Sequence, residues 1–331
     1  MSLLVLAIAP AGWSQNSEQI RVVGVGSTLP LPVYSRLFPA FEEAHPEIRT
    51  SYLPYGSSRA VEMVAAGTAD FGASDAPTSE RPLARKVLYF PTFVAAVVPI
   101  YNLPGITEPL RFTARALAGI YLGKITRWDD AELTGTNPKA ILPASEIVVI
   151  HSAAGRGTTY IWTDYLSKVS SEWKAKVGRG ISVHWPVGIE AEGTGNVAKA
   201  VKETLNSIAY VGTEQAAQSG LLYGTVQNAA GKFVVANSLT ITAAAAGALK
   251  TTPGDFRYSI TNSPGEASYP IASFTWLVVA EERQSTEKRQ AVYALLHWIL
   301  VNGQSYPSTP GFVRLPKELV EQELRTIKKM P

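Results

Sequence analysis

From residue 20 onward the spacing of apolar positions switches repeatedly between the strand and the helix period. RVVGVGS (21–27) is a β-branched run that ends in glycines, and PLPVYSRLFPAFEEAH (30–45) repeats with helical spacing. Pro39 predicts a kink in that helix, because its ring removes a backbone donor. IRTSYLPYG (48–56) alternates as a strand and stops at Gly56. SSRAVEMVAAG (57–67) reads as a short helix with a serine N-cap and a terminal glycine, and TADFGASDAP (68–77) as a strand entering a turn. FVAAVVPIYN (93–102) shows no polar alternation, the pattern of a strand covered on both faces. A second series begins near residue 110: FTARALAGIYLG (112–123) is helical, EIVVIHS (146–152) a strand and TTYIWTDYLSKV (158–169) a helix. VAKAVKETLNSIAYVG (197–212) reads as a helix followed by a small strand. SFTWLVVAEE (273–282) is a strong strand, and KRQAVYALLHWILVNG (288–303) and PKELVEQELRTIKKM (316–330) are helices. The alternation predicts an α/β fold with mostly parallel sheets. No fixed repeat and no low-complexity linker divides the chain, so its domains are expected to interleave rather than follow in series.

Composition narrows this picture. With 331 residues, 46% hydrophobic and 17% charged, the chain can form two domains around a large core, and disorder is excluded. A net charge of +3 is too mild to imply nucleic acid, and the one basic pair, Lys328-Lys329, reads as a solvated terminus. Zero cysteines exclude disulfides, thiol catalysis and zinc–thiolate sites, and suit an exported bacterial protein. LLVLAIAPAG (3–12) is an apolar run followed by small and then polar residues, too short to span a bilayer and without a basic start. Residues 1–20 are therefore expected to be a signal peptide and leader, with a mature start near Gln15 to Ser17; a buried first strand is the alternative.

Candidate chemistry lies at three strand-to-helix junctions: Gly24–Pro30, Tyr55–Arg59 and Gly155–Thr159. Each combines glycines, hydroxyls and a helix start, where free N–H groups and the helix dipole favour an anion. Taken singly, each also looks like an ordinary N-cap. Asp75, at the end of 68–77, is the fourth element. A carboxylate facing an anion makes sense if the anion carries a proton, because it then accepts a hydrogen bond that fully ionised sulfate cannot offer. An Asx-turn is the plainer role for the same residue. Enzyme readings lack support: there is no G-x-S-x-G elbow, Asp70-Phe71-Gly72 stands without the other kinase segments, and the 155–159 loop lacks the Walker lysine. His45, His151, His184 and His297 are too scattered for a metal site, and no cofactor is expected.

In chain order, G-x-G-S-T-L-P, Y-G-S-S, A-D-F-G-A-S-D-A-P, I-Y-L-G-K-I-T-R-W-D-D (120–130) and G-R-G-T-T resemble the substrate-binding proteins of bacterial phosphate ABC transporters, the PstS family. So do Val183-His184-Trp185-Pro186-Val187-Gly188, Ile208–Gly212 and Leu315-Pro316-Lys317-Glu318. The resemblance covers nearly all of 21–330. It implies a periplasmic-binding-protein fold of type II-like architecture: two α/β lobes, each with a mixed, mostly parallel sheet flanked by helices, joined by two crossover strands. Lobe I would be 21–102 plus 271–331, and lobe II 103–270. It implies that the protein is not an enzyme but an extracytoplasmic monomer, periplasmic or secreted, that binds inorganic phosphate and serves membrane permease subunits. Thr28 would bind through its hydroxyl and backbone, Leu29 through its N–H, Ser57 at a helix start, Asp75 as acceptor of the phosphate proton, and Gly157 and Thr158 through N–H groups and the Thr158 hydroxyl.

The sequence departs from the family at one place. An arginine that pairs with phosphate, and an aspartate that pairs with the arginine, are replaced by Ser152 and Ala154. Losing both together is coherent, since the aspartate alone would be an uncompensated charge. Arg156 stands where the family has a small polar residue; it either reaches the ligand or points to solvent. Two alternatives follow: a secreted or surface phosphate-sensing or interaction protein of the same fold with weakened binding, or a binder of another oxyanion.

Overall fold

A computed structural model describes residues 19–77, 82–191, 194–249, 253–281, 285–306 and 311–330. Its strands are β1 (Ile20–Gly26), β2 (Ile48–Leu53), β3 (Phe71–Ser74), β4 (Val87–Asn102), β5 (Arg111–Phe112), β6 (Val148–Ser152), β7 (Ile189–Ala191), β8 (Ser207–Gly212), β9 (Thr225–Gln227), β10 (Phe233–Val234), β11 (Ala272–Ala280) and β12 (Phe312–Val313). Residues 1–18 of the expected signal peptide and leader lie outside the described residues, and β1 begins at Ile20, the last residue of that expected range.

The larger sheet runs β2-β1-β3-β11-β4-β8-β6-β7, with β12 on β4. Its flanks are parallel, β2-β1-β3 on one side and β8-β6-β7 on the other, and its centre is antiparallel. The centre differs because β4 is long enough to pair first with β11 and then with β8, each in the antiparallel sense. β4 pairs with β11 from Val87 to Ala96, then with β8 from Val97 to Asn102. The return passage is at the start of β11, where the Val97 N–H donates to the Ile271 carbonyl at 2.9 Å. β10-β9-β5 form a separate three-stranded sheet. β4 is buried almost throughout, as its unbroken apolar run requires.

Helices cover both faces, and most match the sequence pattern. Pro39 does lie inside Leu31–Ala44, but Pro30 is its N-cap rather than its first turn. Gly56, not Ser57, caps Ser57–Ala66, and its φ of 95° favours glycine. The helix Ser238–Ala248 has no clear apolar stripe, which is why its small-residue sequence was not legible as an element.

One carboxylate is out of place in this packing. Glu323, on the helix Lys317–Ile327, is fully buried, neither oxygen has a hydrogen-bond partner among the described residues, and burial holds its carboxyl well above the ordinary value of 4.5. Below that value both folded and unfolded chains hold the proton. As pH rises past it the unfolded chain releases the proton first, so stability falls with rising pH. Glu323→Met keeps the volume and removes the cost. It should raise the melting temperature more in mildly alkaline than in mildly acidic buffer; an equal shift in both would mean that Glu323 does not titrate as its burial requires.

Candidate functional site

β1, β2 and β3 are parallel neighbours, so their C-terminal ends emerge on one edge of the sheet. That edge brings together residues 27–29, 56–58 and 75, which are distant in sequence. The Ser27 N–H donates to the Ala73 carbonyl at 2.8 Å, and its carbonyl accepts from the Tyr52 hydroxyl at 2.7 Å, so the turn is clamped on both sides. The Ser27 hydroxyl donates to Oδ2 of Asp75 and accepts the Leu29 N–H at 3.0 Å. Ser57 opens its helix, and its Oγ accepts the Asp75 N–H at 3.1 Å.

The facing wall is the end of β6 and the start of the helix Gly157–Val169. An aromatic stack holds this wall in place. His151 stacks on Trp185 with centroids 4.8 Å apart, Trp185 on Tyr210 at 5.8 Å, and Tyr210 on Trp162 at 5.1 Å. The Tyr210 hydroxyl also bonds Oγ1 of Thr159 at 2.8 Å. The loop itself is tied down where the Gly155 N–H reaches the Ile181 carbonyl at 2.9 Å and Ser182 Oγ at 3.0 Å.

The two walls touch. The Ser58 N–H donates to the Gly155 carbonyl at 3.3 Å. A Cβ on Gly157 would lie 2.5 Å from both Asp75 Oδ2 and Ser57 Oγ, so only glycine permits this approach. Among the described residues, four buried polar atoms around the contact have no partner within hydrogen-bond geometry: Asp75 Oδ1, Ser152 Oγ, Thr158 Oγ1 and Arg156 Nε. Asp75, Ser152 and Thr158 are 0%, 1% and 2% exposed, so solvent does not satisfy them freely. Burial pushes the Asp75 carboxyl up to about 6, against the lowering effect of the Ser27 hydroxyl. Chemically the arrangement offers helix N-termini and hydroxyls as donors on two sides and one carboxylate as acceptor, the set that an anion bearing a hydroxyl calls for.

All the residues singled out from the sequence lie in this region, but their engagement differs. Thr28 is half-buried at the β1 turn. The Leu29 N–H is directed at Ser27, while its side chain packs against Gly212 of the opposite half. Ala154 is exposed and Arg156 half-buried. Ser27 was missed, although its place in the G-S-T motif was the available signal. His151 is occupied by stacking, and burial lowers its pKa. Among the described residues there is no group of three His, Asp, Glu or Cys able to hold a metal.

A family model described as a PBP superfamily domain matches residues 9–302. The phosphate-binding protein PstS of Xylella fastidiosa (strain 9a5c) is 36% identical over 312 residues, 93% of this chain and 85% of that protein. The chain belongs to the PstS family. PstS of Pasteurella multocida is 34% identical over 321 residues, covering 96% of this chain and 93% of its own. A high affinity periplasmic phosphate-binding protein (PfluDING), solved with phosphate, superposes with a TM-score of 0.73 at 18% identity over 93% of each chain. At that identity the match speaks for the fold, which is the periplasmic-binding-protein fold of the PstS family. Within it, Asp75 and the two helix starts sit where the two halves of the sheet face each other.

Proposed function

We propose that this protein is an extracytoplasmic solute-binding protein that captures inorganic phosphate between its two halves and hands it to an ABC permease. The halves would act as lobes, 21–102 plus 271–331 and 103–270, with the pairing handover inside β4 as the crossover. The observation that carries the reading is Asp75: fully buried, with one oxygen unpaired, beside two helix N-termini from opposite halves. The phosphate hydroxyl would donate to Asp75. Ser57, Thr28 and the Leu29 N–H, once released from Ser27 Oγ, would bind from one lobe, and the Gly157 and Thr158 N–H groups with the Thr158 and Ser152 hydroxyls from the other. Binding, closure and release require no bond to be made or broken, so we assign no catalytic role. Among the described residues no helix is long and apolar enough to cross a membrane.

Calorimetry with phosphate, arsenate and sulfate tests the reading. Phosphate and arsenate should bind, and sulfate should be weaker by at least roughly 100-fold, because it leaves Asp75 unpaired. Equal affinity for sulfate would favour a general oxyanion binder instead.

A further inference from the structure

The side chain of Arg156 crosses from the lobe II loop to the lobe I helix. Its Nη1 and Cδ would stand 3.5 and 3.9 Å from a Cβ on Gly56, the N-cap of Ser57–Ala66. That position is electrostatically wrong for a cation on its own. The N-terminus of a helix carries roughly half a unit of positive charge, which repels a guanidinium. Nor does the protein supply a counter-charge: among the described residues Arg156 makes no ion pair, and its buried Nε has no partner. Two positive groups, the guanidinium and the start of the Ser57–Ala66 helix, thus approach each other across the contact between the two walls.

We infer that Arg156 is the cationic ligand of the bound anion and the latch that couples binding to closure. The inference rests on the cleft being a phosphate site. A phosphate dianion between the guanidinium and the helix end converts a repulsion across the cleft into two attractions. Without an anion the same two groups repel each other across the contact, so a bound anion makes the closed arrangement more favourable. The charge that the family resemblance places at the position of Ser152 is here delivered from four residues further on, by a side chain that reaches toward Gly56. The φ of +83° at Gly155 lets the chain turn just before Arg156.

Phosphate calorimetry and stopped-flow dissociation on the parent, Arg156→Ala, Arg156→Lys and the surface control Arg115→Ala test this. Arg156→Ala should weaken phosphate binding by about ten-fold or more, as expected for a charge-assisted hydrogen bond, with most of the change in the dissociation rate. Arg156→Lys keeps the charge but loses the planar fork, and should fall between parent and alanine. Small-angle scattering should show phosphate compacting the parent more than Arg156→Ala. If the parent binds phosphate and Arg156→Ala binds within about two-fold of it, Arg156 is a surface residue and the inference fails while the phosphate reading stands. If the parent itself does not bind phosphate, both fail together.

Discussion

Asp75→Asn is expected to reverse the anion preference and to stabilise the ligand-free protein. Asparagine keeps the shape but presents a donor where the carboxylate only accepts. Phosphate would lose its acceptor and sulfate would gain a partner, so the phosphate-to-sulfate affinity ratio should fall by roughly 100-fold or more. An unchanged ratio in calorimetry would remove Asp75 from the recognition role. The stability effect follows from the same burial. The carboxyl is raised from 3.8 to about 6 in the fold. Below 3.8 both states are protonated and the site costs nothing extra. Between the two values the unfolded chain loses its proton first, and above about 6 the full cost is present. A shift of roughly two units corresponds to about 3 kcal/mol. Thermal melts of the ligand-free protein should therefore show parent stability declining as pH rises through this window. Asp75→Asn should melt several degrees higher above it. Phosphate binding offsets this cost in the parent, a trade of stability for recognition.

Gly157→Ala is expected to abolish tight binding without harming the fold. Position 157 opens the helix Gly157–Val169, where alanine is a better helix former than glycine by up to ~1 kcal/mol. The new methyl would nevertheless lie 2.5 Å from Asp75 Oδ2 and Ser57 Oγ, and 2.6 Å from Asp75 Cβ. These atoms belong to the opposite wall and are held by Ser27 and by the Asp75 N–H, so they cannot yield individually. Relief comes only by holding the walls apart, which separates the donors of one side from those of the other. Phosphate affinity should drop by about 100-fold or more, by loss of several hydrogen bonds at once. The melting temperature without phosphate should be unchanged or slightly higher. Parent-like affinity would mean that the walls do not need to meet for binding.

Most elements could be read from local patterns because each has a face to bury. β4 has an unbroken apolar run, and the helix Thr286–Val301 a regular apolar repeat bounded by the Ser285 cap. Candidate residues at the three glycine-hydroxyl junctions were also legible, since a helix start needs the same residue types wherever it occurs. The cap at Gly56 was misplaced by one residue because Ser57 is an equally good cap by type. Its hydroxyl instead accepts the Asp75 N–H, from just past the end of the next strand. Ser27 was overlooked for a similar reason: its role is to orient Asp75, and that partner is 48 residues away.

Strand and helix order, the absence of thiol chemistry, and the residue types able to greet an anion are properties of the sequence by itself, because they depend on local spacing and composition. Whether the three junctions converge was decided by the sheet. Parallel pairing of β2-β1-β3 aligns three strand ends on one edge, and the single sheet that β4 continues from β11 to β8 brings the 155–158 loop against that edge. Tertiary packing also made Asp75 a reluctant anion, by removing it from water, and set Arg156 over a helix N-terminus. Burial and charge proximity are long-range quantities: they arise between groups far apart in the chain, so no window of neighbouring residues contains them.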